Sequence, residues 1–278
     1  MALKMDQVGK PLEPLTYTYT QRDAILYNLG IGATDMKYVY ESAPGGLKLL
    51  PTFAVVPTLP LLGASVQKMG ANLMTLLHGE QTIVIKKPEL PTAATVISEG
   101  KVTDVYDKGK GALFLLKTTT KTKEGEELFD NVFSLFCRGE GGFGGPKGPE
   151  VGNEAPQRPP DFVHEETTLP IQALIYRLSG DINPLHIDPN FAKLGGFPKP
   201  ILHGLCSYGY VARAVLIKCC NDDPTKLKEY FARFRGVVYP GDKLVISIWN
   251  VEKGKVVIET KTGDGRVVIA NASITFSA

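Results

Sequence analysis

The sequence predicts an α+β protein made of two copies of one design, each a helix followed by an antiparallel β-meander. Three observations carry this. A Gly/Pro-rich stretch interrupts the chain near its middle, an internal correspondence recurs at a fixed spacing, and both halves run through helical and then strand periodicity in the same order. At 278 residues the chain is about twice the usual domain of roughly 100–150 residues. The interruption, residues 139–160, is EGGFGGPKGPEVGNEAPQRPP in essence, with no apolar periodicity to support a helix or a strand. It reads as a linker between residues 1–138 and 161–278. A shift of 149 residues lays Ala24-Ile25-Leu26-Tyr27 over Ala173-Leu174-Ile175-Tyr176, and the same shift lays Pro91 and Val96-Ile97-Ser98 over Pro240 and Val245-Ile246-Ser247. Two matches at one offset read as a duplication.

In chain order, the first half gives helical sequence around 24–29 and strand-like runs at 81–87, 94–104, 112–121 and 128–137. In the second half Ile171, Leu174, Ile175 and Leu178 fall at helical spacing after Pro170, and Ser179-Gly180 supplies a stop. Leu205, Tyr208, Gly209, Ala212, Val215 and Leu216 then mark a longer helix, whose small residues permit close packing on a sheet. Alternation takes over at 244–248, and β-rich runs continue at 255–262 and 266–276.

Composition removes several function classes. Hydrophobic residues make up 43% and charged residues 22%, which excludes a disordered or collagen-like chain. Thirty-one Lys+Arg against 29 Asp+Glu leave +2, too little for a phosphate-tracking groove, so no nucleic-acid partner is expected. The longest uncharged stretch, 49–67, is broken by Pro51, Pro57 and Pro60, so no membrane span is expected either. Met1-Ala2-Leu3-Lys4 is followed by no apolar run, so no secretory signal is expected. Cys137, Cys206 and the adjacent Cys219 and Cys220 do not form a disulfide framework, and a reducing compartment is expected.

The chemistry-bearing segment is residues 178–204, LSGDINPLHIDPNFAKLGGFPKPILHG. Asp181 and His186 flank Pro184, which prevents a simple helix through Asn183 and forces a turn able to aim both side chains at one point. A carboxylate and an imidazole aimed at one water make an acid/base pair, with Asn183 placed to orient that water. His203-Gly204 opens the long helix. Backbone N–H groups there lack intrahelical acceptors, and a glycine lets a ligand oxygen come close, which makes Gly204 a candidate oxyanion donor.

The run Asp181-x-Asn183-Pro184-Leu185-His186-Ile187-Asp188, followed by Pro200-Ile201-Leu202-His203-Gly204, resembles the hydratase 2 motif of MaoC-like, R-specific 2-enoyl-CoA hydratases. Leu77-His78-Gly79-Glu80-Gln81 and Gly141-Gly142-Phe143-Gly144-Gly145 extend the resemblance to the double hot-dog form found in peroxisomal multifunctional β-oxidation enzymes. The resemblance implies an antiparallel sheet wrapped round a long helix, twice. It also implies a catalytic dyad at Asp181 and His186, a water-orienting amide at Asn183, an oxyanion N–H at Gly204, and an acyl-CoA substrate with no cofactor. At the 149 offset Asp181 falls over Gly32 and His186 over Lys37, so one site per chain is expected, in the second half. The first half is expected to accommodate the acyl chain, with the Pro-punctuated run 49–63 opening a groove near Leu61 and Leu62. The implied location is peroxisomal, although Phe276-Ser277-Ala278 is not an S-K-L ending, and cytoplasmic otherwise. A homodimer, or a domain of a larger multifunctional enzyme, is implied as the assembly.

Blander readings stand beside these. Asp181 taken alone is a turn residue, and His186 alone a satisfied, partly buried histidine. His186, Asp188 and His203 offer a two-histidine, one-carboxylate set of the kind that holds iron, but the same residues are explained without metal, so none is expected. Glu41, Lys199 and Arg235 are substrate-binding candidates, the two cations for CoA phosphates; each is equally compatible with solvated surface. The Gly-rich run 141–145 lacks the Lys-Ser/Thr of a phosphate loop and reads as a flexible connection. Two other functions remain open: a dehydratase acting on acyl-carrier-protein thioesters, and a non-catalytic acyl-chain binding module.

Overall fold

The computed structural model describes residues 3–72, 75–150 and 152–277, so Met1, Ala2 and Ala278, on which the readings of the two ends partly rest, lie outside the described residues. The first half contains β1 (Leu15–Tyr19), α1 (Gln21–Gly30), α2 (Met36–Val39), a 3-10 stretch (Pro51–Thr58), α3 (Leu59–Met69), β2 (Leu76–Ile85), β3 (Ala94–Asp107), β4 (Gly111–Thr122) and β5 (Glu127–Arg138). The second contains β6 (Phe162–Thr167), α4 (Gln172–Tyr176), α5 (Pro189–Leu194), α6 (Gly204–Cys219), β7 (Leu227–Phe234), β8 (Lys243–Glu252), β9 (Lys255–Thr262) and β10 (Val267–Phe276).

The strands form a single antiparallel sheet of ten in the order β1-β3-β4-β5-β2-β7-β10-β9-β8-β6. Read inward from either edge, each half contributes its first, third, fourth, fifth and second strand, so the duplicated sequence folds as a duplicated topology. The halves meet where β2 pairs with β7, with Thr82 opposite Phe231 and Ile83 opposite Tyr230. This is the double hot-dog arrangement, and α6 is the helix that the second half wraps. All residues of α6 from Leu205 to Leu216 are buried. Tyr208 stacks on Tyr230 of β7 at 3.8 Å between centroids and donates its hydroxyl to the Tyr230 carbonyl at 2.7 Å. A side chain on Gly209 would begin 2.4 Å from Ile31, so only glycine lets α6 approach the end of α1 this closely.

In three places the chain departs from expectation. Most of the proline-rich run 49–63 is packed and does not line a groove: Pro51 to Thr58 are all buried, and Leu61 packs with Val66, Met69, Phe114, Leu116 and Phe133 in a second core under α3, while Leu59 and Leu62 stay partly exposed. Pro60 sits in the first turn of α3, where its missing N–H is one that no helix satisfies, so the prolines begin a helix and do not break one. The Gly-rich run 141–145 is anchored. Asp107 accepts from the N–H groups of Gly109 (2.8 Å), Gly142 (2.9 Å) and Gly144 (2.8 Å), and donates its own N–H to the Pro146 carbonyl (2.8 Å). Strands β1, β6 and β7 were not legible. The first two are the sheet edges: β6 is largely exposed and lacks an apolar alternation, whereas β1 alternates Leu15, Tyr17 and Tyr19 with threonines but over only five residues. Among the described residues, no helix is long and apolar enough to cross a membrane.

Candidate active site

The segment between α4 and α6 builds the site. Gly180, at a φ of 120°, ends the 3-10 turn after α4 and turns the chain out. Asp181 then accepts the Asn183 N–H on Oδ1 at 3.2 Å, and Asn183 accepts the Leu185 N–H on its own Oδ1 at 3.1 Å, capping the short 3-10 turn Pro184–His186. These two local bonds turn the motif back on itself. They leave Asp181 Oδ2 and the Asn183 side-chain amino group available.

His186 is buried, and its Nδ1–H donates to the Ile201 carbonyl at 2.9 Å. That bond fixes the tautomer, since a carbonyl can only accept, and leaves a lone pair on Nε2. Nε2 stands 3.9 Å from Asp181 Oδ2. The gap is too long for a direct hydrogen bond and suits one water held between two acceptors. Burial pushes the His186 pKa down, against the pull of the Asp181 carboxylate, which keeps the imidazole neutral and able to take a proton.

His203 precedes α6 as its N-cap and is 1% exposed. Its ring stacks on that of His186 at 3.7 Å, and its Nε2 lies 3.1 Å from the Asp181 carbonyl oxygen. Burial pushes its pKa down to about 2. Gly204 follows as the first residue of α6, where backbone N–H groups have no intrahelical acceptor, and it is exposed. A side chain there would begin 3.3 Å from the Phe234 ring. The helix N-terminus thus offers a bare amide beside the dyad, with the positive end of the helix dipole behind it.

The other half of the chain lines the same place, which the offset reasoning could not reveal. His78 of β2 lies edge-on to Phe234 at 5.0 Å between centroids; burial pushes it down to about 4, with the Asp181 charge pulling the other way. Leu59, at the start of α3, lies 3.6 Å from where a Gly180 side chain would begin. The signal for His78 was the Leu77-His78-Gly79-Glu80 run, since the 149 offset sets His78 over an unrelated Leu227, and Leu59 falls in the run 49–63 expected to accommodate the acyl chain.

The first half's own counterpart of the motif is filled. At Gly32, φ is 76° and the Tyr210 hydroxyl of α6 sits 2.6 Å from where a side chain would begin. Lys37 is bound to the Asp222 carboxylate at 2.6 Å, with Tyr38 donating to the same group at 2.9 Å. That contact also locates Glu41. It is exposed in the turn after α2, the helix whose Lys37 and Tyr38 bind Asp222 just past the C-terminal end of α6, whereas Asp181 and His186 meet at the N-terminal end of that 16-residue helix. The structure therefore does not bring Glu41 to the dyad. Lys199 and Arg235 are nearer: both are exposed, Lys199 lies 4.5 Å over the Tyr239 ring, and Arg235 follows the Phe234 that faces Gly204.

The metal-ligand set of the sequence also changes. Asp188 caps α5, accepting from the N–H groups of Asn190 (2.7 Å) and Phe191 (3.3 Å), and it is Asp181 whose donor atom lies within 4.8 Å of those of His186 and His203. His186 Nδ1 and His203 Nε2 are each engaged with a backbone carbonyl, which leaves one nitrogen of each ring.

Comparison with known proteins agrees with this architecture. Residues 17–139 match the MFE-2 hydratase 2 N-terminal domain and residues 151–272 match the MaoC like domain. The chain is 40% identical to the probable enoyl-CoA hydratase 2 of Dictyostelium discoideum, over 95% of this chain and 93% of that one. Among solved structures, the MaoC-like dehydratase of Phytophthora capsici superposes with a TM-score of 0.88 at 34% identity, covering 99% of each chain. The full-length peroxisomal multifunctional enzyme type 2 of Drosophila melanogaster gives 0.84 at 36%, with 97% of this chain covering 49% of that one. The chain belongs to the MaoC-like hydratase 2 family.

Proposed function

We propose that this protein adds water reversibly to trans-2-enoyl-CoA thioesters, giving (3R)-3-hydroxyacyl-CoA, a step of fatty-acid β-oxidation. The observation that carries the reading is the pair Asp181 Oδ2 and His186 Nε2, 3.9 Å apart and both acceptors, beside the free amide of Gly204. A water between them gives one proton to the dyad as its oxygen bonds to C3. The C2–C3 π pair moves toward C2, and negative charge grows on the thioester oxygen, where the Gly204 N–H meets it. The dyad then returns one proton to C2, so the net change is addition of one water. Hydroxyl and proton arrive from the same side of the double bond, since both come from one dyad. The Asn183 amino group, left free by its capping oxygen, orients the water.

We assign catalysis to residues 161–278 and acyl-chain accommodation to residues 1–138, whose His78 and Leu59 border the site. Lys199 and Arg235, exposed beside the Gly204 end of α6, serve the CoA phosphates. A peroxisomal location and self-association go with this reading, by analogy with the multifunctional relative; tagged expression and light scattering test them. The reverse reaction, dehydration, goes with the similarity to a MaoC-like dehydratase, and a carrier-protein thioester is the alternative substrate for the same dyad. The deciding experiment is a coupled assay on crotonyl-CoA, decenoyl-CoA and the matching carrier-protein thioester, with chiral analysis. Turnover of the CoA esters to (3R) product is expected; a (3S) product, or no turnover, overturns the reading.

A further inference from the structure

We infer that His203 is a positioning residue of this site, a neutral imidazole that ties the Asp181 peptide to the start of α6 and presents its face to His186. Only the kinetic arm of the test below rests on the hydratase reading.

The Asp181 turn needs such a tie. Its neighbours Ile182 (67% exposed), Asn183 and Pro184 all face solvent, so little packing holds the loop. The Asp181 side chain is secured through Oδ1 by the Asn183 N–H, and its carbonyl is the remaining handle. His203 Nε2 lies 3.1 Å from that carbonyl, and His203 itself caps a helix whose next twelve residues, 205–216, are buried. A buried helix thereby fixes an exposed turn.

The chemistry of the ring agrees. A carbonyl only accepts, so Nε2 carries the proton and Nδ1 is left with a lone pair, which is buried with no partner among the described residues. A phenyl ring would fill the same space without that orphaned acceptor. What histidine adds is the Nε2–H. The ring must also stay uncharged. His186 and the Arg177 side chain both oppose a positive charge on it, burial opposes it more strongly, and only the bond to the Asp181 carbonyl works the other way. Tyr176 closes the remaining side, 5.0 Å away, and His78 approaches Asp181 from β2. A cation 3.7 Å from His186 would repel the proton that His186 takes from water; a neutral π-face accommodates it.

The test separates donor from ring. His203→Phe keeps a ring and loses the N–H; His203→Gln keeps an N–H donor and loses the ring. With crotonyl-CoA, His203→Phe is expected to lower kcat by about 10–100-fold with KM little changed, as loss of an outer-shell hydrogen bond does elsewhere. His203→Gln should recover part of that loss. Wild-type kcat in the Phe variant, or a Gln variant no better than Phe, overturns the inference. Nitrogen-15 NMR of the wild-type protein, which has four histidines, gives a reading independent of mutant folding and of activity. His203 should remain a neutral Nε2–H tautomer down to about pH 5, well below the usual histidine range. Titration above that pH, or an Nδ1–H tautomer, overturns it as well. If the wild type does not hydrate crotonyl-CoA, the function reading falls, and the NMR result alone decides the role of His203.

Discussion

Removing Asp181, His186 or both should cost the same factor in kcat. A water making two hydrogen bonds of about 2.8 Å spans acceptors roughly 4–4.5 Å apart, and the observed 3.9 Å between Asp181 Oδ2 and His186 Nε2 is closer to that than to a direct contact. One shared water means that either deletion disables the same proton transfers. Loss of general acid–base catalysis costs on the order of 10²–10⁴ in rate, about 3–5.5 kcal/mol. If each residue acted alone with a factor of about 10³, the double variant would fall by about 10⁶; as a unit it falls by about 10³. The difference is about 4 kcal/mol of coupling, far above the error of a mutant cycle. The assay is kcat on crotonyl-CoA for Asp181→Ala, His186→Ala and the double variant, with circular dichroism to establish folding. Losses that multiply, or a folded His186→Ala protein with near-normal kcat, would refute the shared-water mechanism. Asn183→Ala should be milder, since it orients the water without moving a proton.

The pH profile follows from the direction of the His186 shift. The neutral imidazole is the active form and burial lowers its pKa, so kcat/KM should hold through neutrality and fall only below the ordinary histidine range; an acid limb above that range contradicts the assignment. Asp181→Asn removes the charge that favours the imidazolium, so any residual activity should show its acid limb at still lower pH. Leu62, half-buried on α3 one turn beyond Leu59, is where Leu62→Trp should impair decenoyl-CoA turnover more than crotonyl-CoA turnover; equal losses argue against an acyl path along α3. Leu61 is 3% exposed in the core, so Leu61→Ala should cost about 2–5 kcal/mol in urea unfolding and leave kcat nearly intact. Gly32→Ala should lower Tm, as it combines a left-handed φ worth about 1–2 kcal/mol with a clash on Tyr210; an unchanged Tm would mean that the Tyr210 contact yields freely.

The sequence by itself determined the class of the fold, the repeated order of elements in the two halves and the turn between Asp181 and His186. These are local or periodic properties: the spacing of Leu205, Ala212 and Leu216 marks a buried helix, the alternation at 244–248 marks a strand, and Pro184 between Asp181 and His186 forces a turn whatever surrounds it. Tertiary structure alone decided which groups meet. That β2 joins β7, that His78 and Leu59 of the first half reach the Asp181 turn, and that Glu41 lies at the far end of α6 are consequences of sheet order, which no local pattern encodes. The same holds for the run 49–63. Its prolines read as breaks until the first turn of α3 is seen to need no N–H at Pro60, and its leucines read as groove until β3, β4 and β5 are seen to cover Leu61. His203 shows the division most clearly. In sequence it is a neighbour of Gly204 and one of three candidate metal ligands, with no tie to the Asp181 peptide in view, because its partners Asp181 and His186 lie 22 and 17 positions away and a turn, not a spacing, brings them to its ring.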